Sequence, residues 1–319
     1  MNWDDRIGRR LKLKDLHTLQ TIAEVGSMAK ASQRLSLSQP AISKAIAEME
    51  LVLGAALLER SSRGAELTES GRLLVERARV IFDELRQGVS DIEQRSDATR
   101  GAIRIGSTEP VVGVVAEVIS RLARKYPRLT HDVIVSDLDT LLVQLRERSL
   151  DVLMSRWLPP LAADDLAVET MFNSSLGVVA AEGHPLLARK KLVLADLSEE
   201  QWTLSPPDSF LGRIIAGMFH SRDLPLPPTL VTTISVHLRL NLVATGRFLT
   251  VLPLQMLQYP SNKAWLRVLD IDLHDSVQPI ASIALKRRRS ASLGLFEQEA
   301  REVSKIMSLT RDRESTAPD

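Results

Sequence analysis

Residues 27–71 read SMAKASQRLSLSQPAISKAIAEMELVLGAALLERSSRGAELTESG, and the spacing within them decides the fold. Ser27 has the short hydroxyl of a helix N-cap, and a short helix is expected over 28–35. Ser36 and Leu37 make a tight turn. Ser38 then caps a second helix with Pro40 in its first turn, where a missing N–H costs nothing. Ile42, Ala45, Ile46, Met49 and Leu53 fall on one helical face, the side expected to be buried. Pro40, Ser43, Lys44 and Ala47 fall on the other. That outward face is small, polar and basic, so the helix can approach base edges and phosphates without steric bulk. Arg60 and Arg63 flank the turn of a two-stranded wing suited to the DNA backbone. In this reading Gln39 reads base edges, Pro40 gives apolar contact, and Ser38, Ser43 and Lys44 touch base or phosphate. Ala29, Lys30, Arg60 and Arg63 hold the backbone.

A helix pair of this kind also occurs in proteins that touch no DNA. Helix, turn, capped helix, wing and a following long helix all appear here in order, and that order favours DNA. Bulk charge adds little: residues 1–66 hold 10 Lys or Arg against 8 Asp or Glu. Binding therefore depends on where the charges sit.

From 13 to 71 the sequence resembles the winged helix-turn-helix of the LysR-type transcriptional regulators. The patterns AxxxLxxSQPAxSxxIxxxExxLG and LxRxxxGxxLTxxG are both present. They run through Ala31, Leu35, Ser38 to Ala41, Ser43, Ile46, Glu50, Leu53, Gly54, Leu58, Arg60, Gly64, Leu67, Thr68 and Gly71. The resemblance implies a multidomain chain: an all-α winged helix-turn-helix, a long linker helix, and an α/β periplasmic-binding-protein-like effector domain of two lobes. It also implies a homodimer or homotetramer on double-stranded DNA at an interrupted inverted repeat, with RNA polymerase as a further partner.

The whole chain bears on those implications. Its 319 residues allow two or three compact units, and 44% hydrophobic with 25% charged residues is ordinary globular composition. A net charge of +1 points to no polyanion-coating tail and no membrane surface. No apolar run approaches a bilayer span, and the N-terminal residues have no apolar core for a signal peptide, so a cytoplasmic location is expected. There is no Cys, which excludes thiol redox sensing, disulfides, Cys-ligated zinc and Cys nucleophiles. The six histidines are scattered off metal-ligand spacing, so no metal and no cofactor is expected.

Residues 1–12 are expected as a basic arm and 13–67 as the DNA-binding domain, with Leu16, Leu19, Ile22 and Ala23 facing inward on its first helix. From Thr68, a good N-cap, a linker helix is expected over 68–96. Its Leu74, Ala78, Ile81, Leu85, Gly88 and Ile92 alternate steps of four and three. A helix this long between domains has little of its own chain to bury against, so a partner helix is the expected cover, with Leu74, Ala78, Ile81, Leu85 and Ile92 as the dimer seam. Residues 97–101 form a hinge.

After Gly101 the period changes. Short apolar, β-branched runs (AIRIGS, HDVIVS, DVLMSR, LGVVAA, TLVTTI, FLTVLP) alternate with helical stretches near 111–125, 138–148, 210–221 and 235–245. That alternation predicts a largely parallel α/β sheet in each of two lobes, the first over about 102–171 and 275–308 and the second over about 172–274. Residues 309–319 are expected to be a disordered tail.

Ligands of open α/β sheets sit beyond the carboxyl ends of the strands. That rule selects Ser107, Thr108, Glu109, Ser136, Ser155 and Arg156 in the first lobe. It selects Ser205, Pro207, Asp208, Thr232 and Thr233 in the second. They offer hydroxyls, N–H groups and one arginine, suited to a small polar or anionic molecule. Ser107, Ser205 and Ser235 also serve as helix caps without any ligand. Residues 202–235 and 247–257 resemble the galactose-binding-protein regulators within the family, which implies a sugar or related effector, beside small organic acids.

Two other functions compete. An enzyme fused to a DNA-binding module would use the α/β half, but the chain has no GxSxG, no GxGxxG and no phosphate-binding Gly-rich loop. Glu109 and Asp208 have no nucleophile to serve as bases for. A nucleoid-coating protein would need neither the lobes nor a near-neutral charge.

Overall fold

The computed structural model describes residues 10–61, 64–96, 100–157, 164–271, 273, 277–286, 288 and 290–315. It divides into two compact units, Met1–Ile92 and Glu93–Asp319. Arg63 and most of the expected N-terminal arm and hinge lie outside the described residues.

The first unit holds α1 (Leu13–Val25), α2 (Met28–Leu35), α3 (Gln39–Leu53), β1 (Leu58–Ser61), β2 (Gly64–Leu67) and the start of α4 (Glu69–Ser96). Each boundary has a local cause. The Ser27 hydroxyl accepts from the Lys30 N–H at 3.3 Å and the Ser38 hydroxyl from the Ala41 N–H at 3.3 Å, so both caps are made. Ser36 ends α2 in the left-handed region, and Gly54 ends α3 there at φ 69°. Thr68 caps α4 by accepting from the Gly71 N–H at 2.9 Å. Leu16, Leu19, Ile22, Ala31, Ile42, Ile46, Met49, Leu57, Val75 and Ala78 form one core. Each fully buried aliphatic side chain of this kind contributes about 1.5–3 kcal/mol.

That core corrects the expected seam. Ala78 is fully buried and Leu74 packs partly against the same cluster, so both belong to their own domain rather than to a partner. Ile81, Leu85 and Ile92 are 40%, 47% and 69% exposed, and Val89, outside the predicted seam, is 57% exposed. From Ile81 the apolar stripe turns outward, while Phe82 beside it still packs against the domain core.

The second unit has two lobes. In the first, β3 (Arg100–Ser107) runs parallel to β4 (Arg128–Val135) and β5 (Val152–Arg156). The returning β12 (Gln278–Leu285) lies antiparallel between β5 and β6 (Leu166–Ser174), giving the order β4-β3-β5-β12-β6. Helices α5 (Val112–Lys125), α6 (Leu138–Arg146) and α10 (Ala291–Ser315) belong to this lobe. The core of α5, α10 and the sheet is made by residues such as Ile103, Ile105, Val114, Val118, Leu122, Met154, Phe172, Ile280 and Phe296. The second lobe holds β7 (Leu176–Ala181), β8 (Trp202–Leu204), α7 (Phe210–His220), β9 (Thr229–Thr232), α8 (Val236–Ala244), β10 (Thr250–Pro253), α9 (Pro260–Lys263) and β11 (Leu266–Val268). β7 is flanked antiparallel by β10 and β11, and β8 pairs parallel with β9.

The first lobe's sheet is therefore mixed rather than largely parallel, because β12 crosses back into it against the direction of β5, and the second lobe holds an antiparallel sheet β10-β7-β11 beside a separate parallel pair β8-β9. The crossing also lies later than expected. β6 carries the first lobe through Ser174, whose partner in register is Gln278 at the start of β12, so the lobe does not end at 171. Helix α10 continues to Ser315, past the boundary at 308 where a tail was expected.

Candidate nucleic-acid interface and effector site

In the first unit, α3 offers its outer face as the sequence requires. Ser38, Gln39, Pro40, Lys44 and Ala47 are exposed, while Ile42, Ile46 and Met49 anchor the inner face. Lys44 leans toward Glu48 at 3.8 Å with its side chain 78% exposed, a contact too open to hold it away from a phosphate. Ala29 and Lys30 are exposed at the start of α2. Ser43 is half-buried, and its hydroxyl points to the Met28 sulfur at 3.7 Å, across the α2–α3 turn. Ser38 spends its oxygen on the cap but keeps its O–H to donate. Arg60 lies on β1 opposite Ala65.

Glu50 was visible only as part of the family pattern, and its work is structural. Its Oε1 accepts from the N–H groups of Leu57 at 2.7 Å and Leu58 at 3.3 Å, fastening the first wing strand to the recognition helix. Gly71 completes the junction. A Cβ there would lie 2.1 Å from the Leu57 carbonyl oxygen, so only glycine lets α4 start this close to the wing.

In the second unit the predicted effector residues gather in two groups at strand ends. In the first lobe the Thr108 N–H donates to the Met154 carbonyl at 3.2 Å, its hydroxyl meets that of Ser155 at 3.3 Å, and the Ser136 N–H donates to the Ser107 carbonyl at 3.2 Å. Ser107, Ser155 and Arg156 are buried. The Ser136 hydroxyl turns to its neighbour Asp137 at 3.3 Å, and Asp137 caps α6. The Thr140 N–H holds the Asp137 carboxyl below its ordinary pKa. In the second lobe the Thr233 N–H donates to the Leu204 carbonyl at 3.0 Å, which places Ser205 beside Thr232 and Thr233. Ser205 is buried but does not cap α7; Ser209 does, accepting from the Gly212 N–H at 3.1 Å. Pro207 and Asp208 are exposed. The Thr233 hydroxyl accepts from the Ser235 N–H at 3.1 Å, and Ser235 caps α8 as expected.

Glu109 is one of the residues that join the lobes: its Oε1 accepts from the His237 N–H at 3.3 Å. Both line a groove of about 710 Å³ together with Val112, Ala116, Leu240 and Tyr259. Of the eleven predicted effector residues, Glu109 alone lines that groove.

Three residues near the lobe junction escaped the strand-end rule. Arg239 is 1% exposed, donates to the Val251 carbonyl at 3.2 Å, and has Glu109 as its counter-charge. Burial brings its pKa down to about 10. It was findable as a cation on the apolar stripe Val236, Arg239, Val243. Tyr259 donates to the Pro110 carbonyl at 3.1 Å, and burial raises its pKa well above the ordinary value. Gln255 accepts from the Ser174 hydroxyl at the crossing between lobes.

A winged helix-turn-helix followed by two hinged α/β lobes is the build of a regulator that binds DNA with one part and a small molecule with the other. The comparisons agree. Residues 13–72 match the family model "Bacterial regulatory helix-turn-helix protein, lysR family", and residues 96–305 match "LysR substrate binding domain". The chain belongs to the LysR family of transcriptional regulators. It is a DNA-binding regulator with an effector-binding domain, not an enzyme.

The chain is 29% identical over 281 residues to the HTH-type transcriptional regulator GbpR of Azospirillum brasilense, covering 88% of this chain and 82% of that one. It is 24% identical over 300 residues to PcaQ of Agrobacterium fabrum (strain C58 / ATCC 33970), covering 93% and 96%. Full-length CbnR, solved in complex with its target DNA, shares the fold at a TM-score of 0.64 and 21% identity, over 92% of this chain and 100% of that one.

Proposed function

We propose that the chain acts in the cytoplasm as a homodimer, or a pair of dimers, that sets two α3 helices in successive major grooves of an interrupted inverted repeat. The observation that carries this is the exposed face of Gln39, Pro40 and Lys44 above a fully packed Ile42, Ile46 and Met49. Gln39 reads base edges, Lys44 takes base or phosphate, and Ala29, Lys30, Arg60 and Arg63 hold the backbone. Ile81, Leu85, Val89 and Ile92 of α4 make the self-association seam, supported by their exposure. RNA polymerase is the downstream partner.

The effector is a small polar molecule, a sugar or an organic acid, taken between the lobes by groups at the ends of β3, β5, β8 and β9. Its binding changes lobe closure and so the spacing of the paired DNA-binding units. The resemblance of residues 202–235 and 247–257 to the galactose-binding-protein regulators supports a sugar or sugar-like compound. Operator binding by Lys44→Ala tests the interface: affinity falls, and the slope of log K against log salt becomes shallower by roughly one. An unchanged slope removes Lys44 from the phosphate contacts.

A further inference from the structure

We propose that the molecule recognised by the second unit is an acid and that Arg156 is the residue that takes its anionic group. This rests on reading that unit as an effector domain. Arg156 ends β5, is 4% exposed, and its Nε, Nη1 and Nη2 are all enclosed with no hydrogen-bond partner among the described residues. The other buried arginines of this unit are answered by carboxylates. Arg239 has Glu109, and Arg288 pairs with Asp151, which Arg104 also contacts at 2.9 Å. Arg156 has no carboxylate as counter-charge among the described residues; the one ionisable group that bears on it is the Tyr259 hydroxyl. Burial lowers its pKa to about 10, which still leaves it protonated at neutral pH. A buried cation without a partner is destabilising, and that cost is offset when a counter-charge arrives.

The position suits a ligand that controls the lobes. Arg156 pairs in register with Ile280, and Ile280 with Phe172. Two residues along, Gln278 pairs with Ser174 where the chain crosses between lobes. Partners in an antiparallel ladder share a face, as do residues two apart, so Arg156, Gln278 and Ser174 project from one side of the sheet. Ser174 donates to Gln255, whose Nε2 is enclosed without a partner, as is the Gln278 Oε1. The face therefore presents a guanidinium fork and an amide acceptor, and Gln255 of the second lobe reaches it through Ser174. A carboxylate or phosphate accepts the fork bidentately. A neutral sugar would leave the charge unanswered.

The test uses full-length protein, its thermal unfolding, and matched probes that differ in charge: galactonate against galactose, glucose 6-phosphate against glucose, succinate against succinamide. At least one acid is expected to raise the melting temperature of the second unit by a few degrees while its neutral counterpart does not. Arg156→Met is expected to abolish that shift, Arg156→Lys to keep part of it, and ligand-free Arg156→Met to melt no lower than the parent. A lower melting temperature for ligand-free Arg156→Met overturns the proposal, since the guanidinium would then have its partner within the chain. No shift with any acid also overturns it. A shift by a neutral sugar that Arg156→Met retains overturns it too, while leaving the effector-domain reading in place.

Discussion

Glu109, just before α5 in one lobe, accepts through Oε1 the backbone N–H of His237 in α8 of the other, at 3.3 Å. The same carboxylate is the counter-charge of Arg239, which is 1% exposed. One side chain thus caps a helix and neutralises a buried cation across the lobe boundary. Glu109→Ala leaves that cation unanswered, and unfolding of the second unit by urea is expected to lose about 1–3 kcal/mol. Glu109→Gln keeps the acceptor but not the charge. Equal stability for Glu109→Gln and the parent would assign the whole effect to the hydrogen bond.

The wing depends on Glu50 in the same direct way. Charge-assisted hydrogen bonds to the Leu57 and Leu58 N–H groups fix where β1 begins. Glu50→Ala is expected to destabilise the first unit by about 1.5–3 kcal/mol and to weaken operator binding more than Lys44→Ala at equal salt, because every wing contact moves together. Glu50→Gln recovers part of both. An operator affinity untouched by Glu50→Ala would mean that the wing makes no contribution to binding.

On α4, Ala78 and Leu85 should separate folding from association. Ala78 is fully buried in its own domain and Leu85 is 47% exposed. Leu85→Asp is expected to leave the melting temperature of the first unit unchanged, to shift sedimentation toward monomer, and to weaken operator binding. Ala78→Asp buries a charge without a partner and unfolds the first unit. A Leu85→Asp protein that sediments as the parent does would move the association surface elsewhere.

The contrast between these two positions shows where sequence reading stops. The helix-turn-helix was legible almost to the residue because its boundaries are local: hydroxyl caps at Ser27 and Ser38, a proline in the first turn, Gly54 at the end. The α4 stripe was legible as apolar, but a 3.6-residue period does not say whether the cover is the helix's own domain or a second chain. β6 was missed because it is an edge strand whose outward Ala167, Thr170 and Asn173 break the apolar run. The strand-end rule selects Arg156 and Ser155, since strand ends are a property of order along the chain. It does not select Tyr259, Gln255 and Arg239, whose places at the lobe junction arise only when the second lobe packs on the first.

Acid should weaken the second unit through identifiable carboxylates. The Thr140 N–H lowers the pKa of Asp137, Arg146 lowers that of Asp165, and Arg301 lowers that of Glu169. Depressed carboxylates add stability that is fully present above the unfolded value of about 4 and is lost as pH falls through the folded values. The melting temperature of the second unit is therefore expected to be flat through neutrality with respect to these groups and to fall below about pH 4. Asn caps a helix as well as Asp does, so Asp137→Asn is expected to match the parent at pH 7 and to show a shallower acid limb. An acid limb as steep as the parent's would remove Asp137 from the groups that titrate on unfolding.

Gly113 and Tyr259 give the sharpest test of how the lobes meet. A Cβ on Gly113 would lie 2.2 Å from the Tyr259 Cζ and 2.4 Å from each Cε, far inside contact distance. The ring cannot swing away freely, because its hydroxyl donates to the Pro110 carbonyl at 3.1 Å on the same lobe as Gly113. Gly113→Ala must therefore push α5 and the Tyr259 segment apart, at a cost of about 1–3 kcal/mol for overpacking. If that clash is the whole cost, Tyr259→Leu makes room for the added methyl. The double variant is then more stable than the two single losses would sum to, with a coupling of about 0.5–3 kcal/mol in a urea-unfolding cycle. Strictly additive losses would mean that the two residues do not touch in solution, and that the lobes meet through another surface.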